Sequence, residues 1–235
     1  MIDIVLYFAA ILALILSVWA QIKVKTTFNK YSRVGTRAGR TAAEVAQMIL
    51  RQEGVTGVRI ERVGGSLTDH FDPRSNTLRL SDSVYNGTSS AAIGVAAHEA
   101  GHAVQHAKGY LPIKIRVAMV PAVNFASRFT WIVIMAGALT MALVESSIGY
   151  YVMLFGIGLF ALVTLFELVT LPCEFNASGR AMRALAASGW YTREELRGSR
   201  AVLTSAALTY VAALAVSAIQ LLRLVMRFLG SDRRR

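Results

Sequence analysis

Long apolar runs alternate with two polar stretches along this chain, and the alternation sets its class. Residues 4–20 are apolar apart from Ser17, which with their neighbours is enough to cross a bilayer once. Residues 129–144 carry no charge and extend towards Pro121 if Arg128 snorkels. Residues 146–166 add 21 uncharged positions and residues 201–222 add 22. The pattern predicts about four transmembrane helices. The first resembles a signal peptide at Val18-Trp19-Ala20, but Met1-Ile2-Asp3 lacks a positive n-region, so an uncleaved anchor is expected.

The polar stretch from Gln21 to Arg116 reads differently. Thr41-Ala-Ala-Glu44 is a capping box, so a helix should start there and stop before Gly54. Residues 58–63 and 77–80 read as short strands, with Gly64-Gly65 and Asp72-Pro73 as turns. Ser89 or Ser90 caps an Ala-rich helix running to about Lys108, with Gly109 as its stop. The fold class is therefore a mainly α integral membrane protein carrying a small α+β domain with a short sheet.

Composition agrees: 54% of the 235 residues are hydrophobic and 17% are charged. The net charge of +11 is uneven, with six basic residues and no acid between Lys23 and Arg40. Such a juxtamembrane cluster orients a chain and attracts acidic headgroups, making the lipid bilayer a partner. Nucleic acid is not expected, because the basic residues flank apolar runs and no recognition motif is present. Cys173 is the single cysteine, which excludes an internal disulfide. The loop at 145–150 has no Lys or Arg, whereas 172–200 has Arg180, Arg183, Arg193, Arg197 and Arg200. Both polar segments are thus expected in the cytoplasm. The basic tail Arg233–Arg235 disagrees with four full crossings.

The chemistry concentrates in His98-Glu99-Ala100-Gly101-His102. Histidines four apart on a helix share a face and reach one ion, and the intervening Glu can take a proton from water polarised by the metal. A catalytic zinc wants a third protein ligand and an open fourth position. His106 lies a further turn along and suits a solvated helix surface; His70 falls in a turn-rich segment. Glu174 is the better candidate, because a two-span hairpin returns the chain to the face it left. Cys173, beside it, reads as a packed cysteine rather than a ligand.

These residues, with Leu171-Pro172-Cys173-Glu174-Phe175-Asn176-Ala177-Ser178 and the stretch from His70-Phe71-Asp72-Pro73 to Leu78-Arg79-Leu80-Ser81, resemble the YugP-like membrane zinc metallopeptidases of bacteria over nearly the whole chain. More distantly they resemble gluzincins such as the heat-shock membrane proteases and CAAX prenyl proteases, which pair His-Glu-x-x-His with Glu-x-x-Ala-Asp. The resemblance implies a zincin-like domain with one Zn²⁺ on His98, His102 and Glu174, and Glu99 as general base. It implies a multi-pass protein of the bacterial plasma membrane. Ser178 stands where the distant group has Asp, so Ser178 or Asn176 would have to orient a ligand. ATP-dependent proteases share the motif, but no phosphate-binding loop is present. A site-2-type protease would carry the motif within a span.

The segments expected are an anchor (1–22), a zincin-like stretch (23–116), a hairpin (117–171), a cytoplasmic helix with the third ligand (172–200), a last span (201–229) and a basic tail (230–235). Arg180 or Arg183 could face a transition-state oxyanion, though both also suit an interfacial helix. Arg128 and Glu167, at similar depth, are expected to pair, and Pro172 is expected to interrupt the helix between Glu167 and Glu174. Residues 58–63 and 77–80 could pair with an extended substrate. The activity expected is zinc-dependent hydrolysis of peptides or membrane proteins. The alternative is a zinc-stabilised scaffold without catalysis.

Overall fold

The computed structural model describes residues 2–144 and 147–232. Glu145, Ser146 and the tail Arg233–Arg235 lie outside the described residues. In chain order the elements are α1 (Ile2–Tyr31), α2 (Ala42–Gln52), β1 (Arg59–Val63), β2 (His70–Asp72), β3 (Thr77–Ser81), α3 (Ser90–Ala107), α4 (Leu111–Leu143), α5 (Ser147–Ala187) and α6 (Arg193–Asp232). Four helices are long and apolar enough to span a membrane: α1, α4, α5 and α6. The chain divides into two compact units.

One unit comprises Met1–Val18, Ile115–Thr170 and Tyr210–Arg235. Here α4 and α5 meet through glycine. A Cβ at Gly137 would stand 2.6 Å from the Met153 nitrogen, and one at Gly156 would stand 2.7 Å from Ile134 Cγ1. Lipid tails are as apolar as leucine, so spans associate by such close packing rather than by hydrophobic burial. Glu167 accepts a hydrogen bond from Ser217 of α6, and Arg223 lies over the Tyr7 ring at 5.3 Å. The expected Arg128–Glu167 pair does not form: Arg128 is exposed, and the carboxylate is turned to the serine. Depth matched the two residues, but the side-chain azimuth around each helix decides a pairing.

The other unit comprises Trp19–Lys114 and Leu171–Thr209. The capping box forms as expected, with Thr41 accepting from the Glu44 amide and Glu44 from the Thr41 amide. Ala42, Val45, Ala46, Ile49 and Leu50 make the buried stripe of α2, at helical spacing. The sheet order is β1-β3-β2, with β1 parallel and β2 antiparallel to β3. Leu78 and Leu80 of β3 point into the core, which α2 and α3 share with Ala181 and Leu185 of α5 and Val202 and Leu203 of α6. Ser89 caps α3, and Gly109, at φ +64°, follows its end.

Three expectations change. His70 lies in a strand rather than a turn, because β2 takes its ladder partners from β3. Residues 77–80 cannot receive a substrate strand, since β3 is central and both its edges are used. Pro172 does not interrupt its helix, and α5 runs through it from Ser147 to Ala187. Proline removes one N–H, and a long helix survives that loss when the turns beyond it are held. Cys173, Glu174, Ala177 and Ala181 are all buried within this second unit. The third ligand candidate therefore rides on the same helix as the third span.

Candidate metal centre

Helix α3 is almost buried all round because its residues are small. Ala91, Ala92, Ala96, Ala97, Ala100 and Ala103 are each at most 1% exposed, and glycines admit neighbouring backbones. A Cβ at Gly94 would stand 3.1 Å from Ser199 Cβ of α6, and one at Gly101 only 2.7 Å from the Ala177 carbonyl oxygen of α5. Gly101 thus brings α5 against the motif helix one turn after Glu174.

That contact sets the site. His98 Nε2 lies 3.1 Å from His102 Nε2 and 3.1 Å from Glu174 Oε2, and His102 Nε2 lies 3.5 Å from Glu174 Oε2. Bonds of 2.0–2.2 Å to a tetrahedral zinc require ligand atoms roughly 3.3 Å apart, so the three edges fit one face of such a tetrahedron. The side chains of His98, His102 and Glu174 are 13%, 8% and 3% exposed. Among the described residues, this group of three is the one able to hold a metal ion, and Cys173 Sγ is not part of it.

The outer partners fix which ring nitrogen faces the centre. Arginine can only donate, so Asn176 Oδ1 accepts from Arg180 Nε at 2.8 Å. The same oxygen accepts from Gln105 Nε2 at 3.0 Å, and the Cys173 carbonyl accepts from it at 2.8 Å. Gln105 Oε1 is then the atom 3.0 Å from His102 Nδ1. An oxygen there requires the proton on Nδ1, which leaves the Nε2 lone pair facing the other donors. A lone pair and a carboxylate oxygen converging in a nearly closed space suit a cation. His98 Nδ1 lies 3.1 Å from Ser178 Oγ, a placement that lets the serine orient this ring.

Glu99, partly buried, lies beside the first histidine, and its Oε2 accepts from the Phe71 amide of β2 at 3.1 Å. This contact is possible because β2 is an edge strand. Around it, the Asp69 carboxylate accepts from the Ser81 amide and hydroxyl at 2.7 and 2.9 Å, and burial pushes this acid upward from its ordinary value. Asp72 is held well below the carboxylate range by bonds from the Ser75 hydroxyl, the Arg74 amide and Arg79.

His106 is exposed and packs its ring against Phe71 at 5.8 Å; His70 Nδ1 lies 2.8 Å from the Thr68 carbonyl. Neither belongs to the group of three donors. Arg180 is engaged by Asn176, and Arg183 is exposed. Sequence reasoning missed Gln105. Its position three residues after His102 was the one local signal.

The model of a family described as "Putative neutral zinc metallopeptidase" matches residues 6–229. A relative, "Putative membrane protease YugP" of Bacillus subtilis (strain 168), is 47% identical over 223 residues, covering 95% of this chain and 96% of that protein. No solved structure matches. With a near-complete family match, a full-length relative and a donor set spaced for zinc, the chain belongs to the family described as "Putative neutral zinc metallopeptidase".

Proposed function

We infer that this membrane protein is an endopeptidase in which His98, His102 and Glu174 hold one zinc and Glu99 is the general base. The observation that carries the reading is the three-sided fit of the donor atoms, with edges of 3.1, 3.1 and 3.5 Å. Bound zinc supplies Lewis acidity, polarising the scissile carbonyl and lowering the pKa of water to about 7. The Phe71 N–H engages Oε2 of Glu99, which orients the carboxylate and leaves Oε1 to take a proton from the attacking water. The water oxygen bonds to the carbonyl carbon, the C–N bond breaks, and Glu99 passes the proton to the departing amine. Gln105 holds His102 in its ligating tautomer, Ser178 orients the His98 ring, and Asn176 and Arg180 secure Gln105.

With three protein donors among the described residues, a four-coordinate zinc would keep a position open for water or substrate, which favours catalysis over a closed scaffold site. The two Arg- and Lys-rich segments support a site at the cytoplasmic surface. Peptides or membrane proteins are the substrates, and their chain would run along β2, the edge strand beside Glu99.

Replacing Glu99 with Gln tests the mechanism. Zinc content should stay at one per chain while peptide hydrolysis falls roughly 10²- to 10⁴-fold; unchanged turnover would remove the base from the reaction. Glu174→Ala should lose zinc.

A further inference from the structure

The edge of the sheet away from β2 is also open. The Arg59 amide bonds the Asn76 carbonyl, and in a parallel ladder successive residues alternate in direction. The N–H and C=O of Ile60 therefore point away from β3. They face a groove of about 830 Å³ between β1 and α2. Its floor is apolar: Met48, Val58, Ile60 and Tyr85 are partly buried against the core. Its rim is basic, with Arg40 and Arg51 against one acid, Glu44, whose carboxylate is already committed to the Thr41 amide; Arg59 is turned to Thr77 Oγ1 at 3.2 Å and to Glu61 at 3.8 Å. Arg40 and Arg51 are both exposed.

We propose that this groove is a docking site for an extended acidic peptide segment, which adds to the free edge of β1. Each element of the groove has a counterpart in such a segment. The unpaired backbone groups of Ile60 match a second strand, the apolar floor takes its alternate side chains, and the arginines take its carboxylates. Sheet order places β1 and β2 on opposite sides of β3. The docked segment is therefore separate from any chain lying beside Glu99, and it serves to retain an acidic partner.

The probe is a labelled eight-residue peptide alternating Glu and Val, measured by fluorescence anisotropy on the zinc-loaded full chain in detergent. The Glu99→Gln form prevents cleavage, so binding is read whether or not the proposed hydrolysis occurs. The acidic peptide should bind at least about tenfold tighter than its Lys-for-Glu counterpart, and added salt should weaken it. Combined Arg40→Glu and Arg51→Glu should reverse that preference without changing zinc content. N-methylating alternate amides of the acidic peptide should abolish binding in one register and spare it in the other. Equal binding of acidic and basic peptides, or of both methylated registers, would overturn the proposal. So would arginine-dependent binding of phosphatidylglycerol vesicles with none of the peptide.

Discussion

Arg180 has no lone pair to offer, and this limitation passes through Asn176 and Gln105 to the ring of His102. Partners of this kind orient ligating histidines, and their removal typically lowers metal affinity 10- to 100-fold. Gln105→Leu should weaken zinc binding by about that factor, measured by competition with a chromophoric chelator. Gln105→Glu should also weaken it, because a second oxygen would then face the Cys173 carbonyl and Asn176 Oδ1. Affinity unchanged in both would show that His102 needs no such support. His98, His102 and Glu174 were legible as residue types at telling positions. Gln105 was not, because the acceptors that give it meaning lie 68 and 71 residues away, and no local pattern encodes a bond of that span.

At the scale of elements, α3 and α5 approach until Gly101 meets the Ala177 carbonyl. Gly101→Ala would force a methyl carbon to 2.7 Å from that oxygen, and overpacking of this kind costs about 1–3 kcal/mol. Thermal unfolding should shift down and zinc retention should fall together, since the displaced helix carries Glu174. The β2–β3 hairpin should respond to acid. Asp72 has its folded pKa depressed, so its contribution is present above its unfolded value of about 3.9 and is lost as pH falls through the folded one. Hydrogen-exchange protection at β2 and β3, taken relative to the intrinsic rate at each pH, should fall in acid, and Asp72→Asn should flatten that dependence. The helix starts at Thr41 and Ser89 were readable because caps are local chemistry. β2 was not, since three residues make a strand only beside β3. The unbroken course of α5 through Pro172 depends on burial beyond the proline, which sequence spacing does not report.

For the molecule as a whole, four spans were visible as uncharged runs, because a bilayer imposes its length on the sequence. The proposed orientation rests on Lys and Arg placement and is open to direct labelling. With Cys173 buried, a cysteine placed at exposed Arg183 or exposed Ser147 should dominate the labelling of intact cells. A membrane-impermeant maleimide should reach Ser147→Cys from outside and Arg183→Cys only after permeabilisation. The reverse would invert the proposed topology. Side-chain pairings between spans stayed illegible, as Glu167 shows by bonding Ser217: matched depth narrows the partners without choosing one.

The bond from the Phe71 amide to Glu99 divides the ways this protein can fail. Under the proposed mechanism, damage to the strands that hold Phe71 would produce a fully metallated but idle protein, whereas damage along α5 would produce an empty one. Mutants collected blindly should therefore sort into two populations when assayed for bound zinc.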